Sequence, residues 1–289
     1  MELEFIHFNL PKDRTADIEI IGDPIYDVYI KGCFKQISKK RYKLETEKEA
    51  KVIQGGARNV YNNLFSIFAR KDRAVFFHYD ELDNGPLDDY LTLTRLETPN
   101  KDIYEYWNTS HPESYYKHMP IYLYKTYYEI KTLVLSDYNK GTCQSQPNIN
   151  VHPKLMVVDS KYRSIHEDYF KLDCIKIWHA TGSEYDYEWA KNFDYIFWTN
   201  GPNQVKIGSP KIDGKREDWI FLPVPQDTNV VDTTGAGDTF TAAISAYLTK
   251  HMIESEIDMA ALKAAGEFAI KCCQEVIQKE HCAVTTYKI

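Results

Sequence analysis

Short apolar runs, each closed by polar or small residues, recur along the chain. Ile18 to Ile21 ends in Gly22-Asp23, and Thr132 to Leu135 ends in Ser136-Asp137. Met156 to Val158 ends in Asp159-Ser160-Lys161, and Tyr195 to Trp198 in Thr199-Asn200-Gly201. Ala74 to His78 and Cys174 to Trp178 complete the set. Runs of this length read as buried strands that deliver polar residues at their carboxyl ends. Helical spacing appears at Tyr61, Leu64, Phe65 and Phe68, at Phe240, Ala243, Ile244, Tyr247 and Leu248, and through Ala260 to Ile277. The alternation predicts an α/β fold: a doubly wound, mainly parallel sheet with helices on both faces and ligands along its carboxyl edge. Val28 to Ile53 alternates only partly and is rich in charge and aromatics, which suggests exposed strands. Leu91 to Leu96 reads as an edge strand within the aromatic-rich stretch Tyr90 to Ile130.

The totals narrow the picture. A chain of 289 residues with 43% hydrophobic positions fits one large α/β domain over residues 1–289. Lys and Arg number 35 against 42 Asp and Glu, a net charge of -7, which argues against a nucleic-acid partner. The six cysteines show neither metal-ligand spacing nor a dense disulfide pattern, so a reduced, cytoplasmic protein is expected. Cys272 and Cys273 are adjacent in a predicted helix, which places at least one of them inside. The amino terminus lacks a signal-peptide core and no later run has the length of a membrane span, so a soluble protein is expected. There is no Walker A string, zinc spacing, nucleophile elbow or internal repeat.

The strongest candidate chemistry lies at 230–248. Val230-Val231 leads into Asp232-Thr233-Thr234-Gly235-Ala236-Gly237-Asp238, and this small-residue turn opens a helix. Its glycines let a ligand approach the backbone, and the first amides of the helix make an anion site. A carboxylate beside an anion site repels its ligand unless it has work of its own. Asp238 is therefore either a helix cap or a base that takes a proton from a hydroxyl attacking a bound phosphate.

The unbroken D-T-T-G-A-G-D of Asp232 to Asp238, followed by Thr239-Phe240, closely resembles the second signature of the ribokinase-like (PfkB) carbohydrate kinases. Gly55-Gly56-Ala57 with Asn59 and Val60 resembles the first signature of that family. The resemblance implies that Asp238 is the catalytic base and that the Gly235, Ala236 and Gly237 amides stabilise charge in phosphoryl transfer. It further implies that Asp232 lies near a bound monovalent cation such as K+. Gly55, Gly56 and Asn59 would touch a sugar, with Asp27, and secondarily Asp23, binding its hydroxyls; the alternative for both is an ordinary turn Asp. Lid segments are expected near 28–54 and 91–125, with a homodimer through the lid as the family expectation.

Leu135-Ser136-Asp137-Tyr138-Asn139-Lys140-Gly141 resembles the L-S-D-Y-x-K-G of the heptose 7-phosphate kinase domain of the bifunctional heptose kinase and adenylyltransferase. Asp137 or Lys140 becomes a candidate substrate ligand at a strand's carboxyl end. Lys161, in Asp159-Ser160-Lys161 where the heptose kinases have Asp-Pro-Lys, is either a cation that suits a sugar phosphate or an ordinary solvated Lys. Arg58 stands where the family often has a small residue and is either a phosphate contact or a solvated cation. ATP and Mg2+ are the implied cofactors, with Thr199, Gly201, Thr234 and Gly266 near the nucleotide and Glu184 holding magnesium-bound water. Three departures stand out: Thr181 where the family has Asn, Asn203 where a second Gly is usual, and Gly266 where the heptose kinases carry Asn near the adenine. His179 reads as a hydrogen-bonded structural residue in preference to a metal ligand. The resemblance covers the kinase half alone, without the nucleotidyl-transferring domain. The function it implies is phosphorylation of a sugar or sugar phosphate hydroxyl, heptose 7-phosphate-like substrates favoured. The rivals are a non-catalytic sensor with the same fold and a nucleoside kinase of the same family.

Overall fold

The computed structural model describes residues 16–38, 41–46, 51–68, 74–77, 92–97, 103–108, 130–139, 141–144, 152–210, 219–252 and 257–289. In chain order the elements are β1 (Ala16–Gly22), β2 (Pro24–Ser38), β3 (Arg41–Thr46), β4 (Lys51–Gly56), α1 (Ala57–Phe68), β5 (Ala74–Phe77), β6 (Thr92–Glu97) and β7 (Ile103–Asn108). They continue with β8 (Thr132–Asp137), β9 (Leu155–Ser160), β10 (Ile175–Thr181), α2 (Tyr187–Ala190), β11 (Tyr195–Thr199), β12 (Gln204–Gly208), β13 (Ile220–Pro223), α3 (Ala236–His251) and α4 (Met259–Val276).

The main sheet runs β13-β12-β11-β10-β9-β8-β1-β5. It is parallel from β5 to β11, and β12 and β13 add antiparallel at the other end. Register explains the runs in the sequence. Ile20, Val134, Val157 and Ile177 lie opposite one another across β1, β8, β9 and β10, and all four enter the core beneath α1, α3 and α4. The next row, Ile21, Leu135, Val158, Trp178 and Ile196, enters a second core on the other face. That second core is closed among the described residues by Tyr169, Ala190 and Phe193, from short helical turns and the segment after α2. Both faces are dry, so neither row can be polar.

One residue further along, the same alternation sorts the polar ends. Ser136, Asp159 and His179 face the long helices; Asp137 and Ser160 face the opposite side.

The smaller sheet is ordered β3-β2-β6-β7, with β4 also paired to β2. The expectation of an edge strand at Leu91 to Leu96 is corrected here: β6 lies between β2 and β7 and pairs with both. The segment 109–125 of the second expected lid region lies outside the described residues. On α1 the buried stripe is Val60, Leu64, Ile67 and Phe68. Phe65 instead faces solvent, stacked near Tyr61, because the helix sits on the sheet one position away from the phase that the aromatics suggested. No helix among the described residues is long and apolar enough to cross a membrane.

Candidate active site at the carboxyl edge of the sheet

Two Gly turns meet at the carboxyl edge. Gly56 has φ +56°, and a Cβ there would stand 2.7 Å from the Asp23 carbonyl. The turn closes on that carbonyl, which accepts the Ala57 amide at 3.1 Å. This fixes the start of α1 and aims Asn59 at the second turn. There Gly235, φ +79°, precedes α3, and a Cβ would stand 2.5 Å from the Asn59 amide nitrogen. A side chain at Gly235 would press on Asn59 where the two helices converge, and one at Gly56 would press on Asp23 and Ile25 at the β1–β2 turn.

Asp238 sits between them, buried. Its Oδ2 accepts the Asn59 Nδ2–H (3.0 Å) and its Oδ1 accepts the Tyr138 hydroxyl (2.8 Å). Asn59 Nδ2 also reaches the Gly235 carbonyl at 3.3 Å. Burial, then the neighbouring Asp159, push the Asp238 carboxyl up to about 8; the Asn59 and Tyr138 hydrogen bonds pull the other way and Asp27 adds to the rise. A carboxyl held near neutrality by its surroundings is suited to accept and release a proton. The Ala236 amide turns back to the Thr233 carbonyl at 3.2 Å, so one of the three expected anion-hole amides already has a partner within the turn. Gly237 is exposed at the mouth.

Beside this centre runs a polar chain on the same face of the sheet. The Thr241 hydroxyl donates to Asp159 Oδ2 at 2.9 Å; His179 Nδ1 lies 2.9 Å from the same hydroxyl, and His179 Nε2 lies 3.1 Å from the Thr199 hydroxyl. His179 is buried against Phe240, as a hydrogen-bonded structural residue should be.

The carboxyl-terminal segment closes the site from the other side. The Cys282 thiol donates to Asp27 Oδ2 (3.1 Å), and the His281 ring packs against Tyr29 of β2 in a tilted contact, centroids 3.9 Å apart. The His281 amide donates to Asp232 Oδ2 (3.0 Å), while Asp232 Oδ1 accepts the Thr234 amide (2.8 Å). Gly55 backs directly onto the Asp27 carboxylate, a Cβ there standing 2.3 Å from Oδ2.

Not every carboxylate nominated from the sequence faces this centre. Asp23 is fully buried and accepts the Tyr138 amide (2.9 Å) and the Thr142 amide (3.1 Å). Asp137 points to the other face, where it accepts Ser160 Oγ (2.6 Å), the Ser164 amide (2.9 Å) and the Asn139 amide (2.8 Å). Lys140 lies outside the described residues. Lys161 is exposed at the end of β9, its Nζ 5.9 Å from the Tyr162 ring centroid. Arg58 bends back over Tyr61 (4.9 Å) and towards Gln54 Oε1 (3.4 Å).

Glu184 is half-buried, and its Oε2 accepts the Thr181 amide at 3.0 Å; burial raises its carboxyl above the usual range. Gly201, φ +52°, lies open at the β11–β12 turn. Gly266 does not: a Cβ there would stand 2.7 Å from Leu222 Cδ1 and 2.9 Å from Ile207 Cδ1, inside the α4–sheet interface. Among the described residues no three His, Cys, Asp or Glu side chains converge on a metal position. Tyr138, Asp159 and Cys282 join the site without having been singled out for it. Strand register, which no local pattern gives, decides which side Tyr138 and Asp159 face, and nothing local marks where the segment bearing Cys282 docks.

A model of the pfkB family carbohydrate kinases matches residues 211–288. Among curated proteins, the chain is 28% identical over 307 residues to the bifunctional protein HldE of Helicobacter pylori (strain HPAG1), covering 91% of this chain and 63% of that one. It is also 28% identical over 309 residues to the protein of the same name from Helicobacter acinonychis (strain Sheeba), with the same coverage. The chain thus spans less than two thirds of the length of these relatives. Among solved structures, a Methanocaldococcus jannaschii nucleoside kinase of the ribokinase family superposes with TM-score 0.62 at 12% identity, covering 96% of each chain. Arabidopsis thaliana ribokinase complexed with ribose and ATP gives 0.60 at 13% identity, over 94% of this chain and 96% of that one. The fold is that of the ribokinases, and the sequence resembles the pfkB carbohydrate kinases.

Proposed function

We propose that this ribokinase-fold chain transfers the γ-phosphoryl group of ATP to a hydroxyl of a sugar or sugar phosphate, with Asp238 as general base. One observation carries the reading: a buried carboxylate, raised to about 8 and held by donors on both oxygens, at the start of a helix whose Gly235-Ala236-Gly237 turn approaches it from the open side. Asp238 removes the proton of the acceptor hydroxyl as its oxygen bonds to the γ-phosphorus, and the bond from that phosphorus to the bridging oxygen of ADP breaks. The Gly235 to Gly237 turn and the start of α3 offset the charge on the moving group.

On this reading Asp27, Gly55, Gly56 and Asn59 orient the sugar. Thr199, Gly201 and Thr234 border the nucleotide, and Lys161 supplies a cation for a substrate phosphate. Magnesium, when bound with ATP, neutralises charge on its phosphates. Glu184 has the donor chemistry for metal-bound water, and a monovalent cation belongs beside Asp232. The likeness of Leu135 to Gly141 to the heptose 7-phosphate kinases favours a heptose 7-phosphate-like acceptor.

The test is ADP release with ATP, magnesium and potassium across sugars, sugar phosphates and nucleosides. Turnover on a sugar phosphate is expected, and Asp238→Asn should lower it by at least about a thousandfold while leaving the melting transition cooperative. Wild-type rates from the variant would remove Asp238 from the role. Binding of sugar and nucleotide by calorimetry without ADP formation would instead identify a sensor.

A further inference from the structure

Tyr138 touches the base, yet the alternation of β8 alone does not explain how firmly it is held there. Its backbone is fastened on both sides by buried carboxylates. Asp23 accepts the amides of Tyr138 and Thr142, and Asp137 accepts the amide of Asn139 while its other oxygen ties down Ser160 and Ser164. Burying a carboxylate costs free energy unless several donors meet it, and here both are met. Their combined effect is to immobilise the turn that bears Tyr138. Asp23 and Asp137, nominated from the sequence as sugar ligands, act on this short loop.

The loop aims one phenol. With its hydroxyl on Oδ1 and the Asn59 amide on Oδ2, each oxygen of Asp238 has one donor, which fixes the plane of the carboxylate and leaves a lone pair on each oxygen for an incoming proton. The ring itself packs against the core beneath α3, so the hydroxyl can be removed without vacating that space.

We propose that Tyr138 is a positioning residue for Asp238, its hydroxyl holding the carboxylate in the orientation that receives the acceptor proton; this rests on the kinase reading above. The charged and titratable groups around that carboxylate come from every neighbouring element: Asp27 from β2, Asp159 from β9, Cys282 from the carboxyl-terminal segment, and His179 from β10 through Thr241. Against the carboxylates, the Asn59 and Tyr138 donors are what favour the ionised base. Removing the phenol hydroxyl therefore moves the pH at which Asp238 loses its proton upward.

The experiment is Tyr138→Phe, assayed for acceptor phosphorylation across pH with its melting curve recorded in parallel. The expected result is a kcat lower by about 10- to 100-fold, a KM for ATP changed by less than about twofold, and an acid limb displaced to higher pH. A wild-type kcat with an unmoved pH profile overturns the proposal. Should the Phe variant not fold, Asp238→Asn carries the test. With ring-carbon-labelled tyrosine, one resonance should differ between the wild type and Asp238→Asn at alkaline pH, because the phenol has lost its anionic acceptor. An identical set of tyrosine resonances overturns the contact. Absence of turnover from the wild type on the whole acceptor panel sinks the kinase reading and the role of Tyr138 with it. Turnover that is indifferent to Tyr138→Phe sinks only the latter.

Discussion

Asp238 illustrates what a buried charge does to the molecule that carries it. Burial and Asp159 hold its carboxyl near 8 in the folded chain, whereas the ordinary value is 3.8. Between those values the folded state binds the extra proton, so this residue's contribution to stability declines as pH rises from about 4 towards 8. Asp238→Asn removes the titration. The variant should therefore melt a few degrees above the wild type at pH 8, with the gap closing towards pH 4; scanning calorimetry across that range measures it. A variant that melts below the wild type at pH 8 would mean that the two donors on the carboxylate outweigh its burial. Gain in stability on loss of a reactive group is the usual sign of a site built for chemistry.

The elements around the site divide the work between placement and packing. α3 is buried along its middle, its Thr241, Ser245 and Thr249 as well as its apolar residues, and so it behaves as a core element exposed at its two ends, Gly237 in the first turn and Lys250-His251 in the last. Helix α4 packs its small residues on the sheet, and Gly266 lies in that contact, not at a purine-facing surface. Gly266→Asn, the residue that the heptose kinases carry in the comparable place, would press a polar amide among Leu222, Ile207 and Phe197. A loss of about 2–4 kcal/mol is expected from overpacking and polar burial together. Urea unfolding with an unchanged slope would measure it, and an unchanged midpoint would mean that α4 can shift outward. The spacing of Ala261, Ala264, Ala265, Phe268 and Ala269 marks the helix, but what Gly266 touches depends on the helix's rotation about its axis, which its packing sets.

Across the whole molecule, the carboxyl-terminal segment joins parts that are distant in sequence. Glu275 on α4 gathers donors from Lys279, Thr285 and Thr286, while Asn63 and Ser66 on α1 bond the same segment at Thr285. Burial raises the Glu275 carboxyl, but those donors outweigh it and hold it at about 2. The stability this confers is present above the ordinary 4.5 and is lost as pH falls through about 2. Glu275→Ala should melt lower than the wild type at pH 7, with the difference shrinking below pH 4.5. Because the same segment brings His281 to Tyr29 and Cys282 to Asp27, faster hydrogen exchange at Thr285 and Thr286 should accompany slower turnover. Exchange unchanged from the wild type would show that the bonds to α1 suffice.

The sequence by itself determined the six parallel strands of the main sheet and the helix that follows the Asp232 to Asp238 turn. Those features depend on local chemistry: apolar runs, glycine at positive φ, and small residues where backbones meet. What each carboxylate faces was decided only by tertiary structure. Asp137 and Asp159 end neighbouring strands and look alike as sequence, yet their strand registers send them to opposite sides of the sheet, one to a loop and the other towards Asp238. Tyr138 reaches Asp238 from a strand end 100 residues away, and Cys282 reaches Asp27 across 255. No local pattern encodes contacts over such separations, since they exist only once the sheet has fixed the order of its strands.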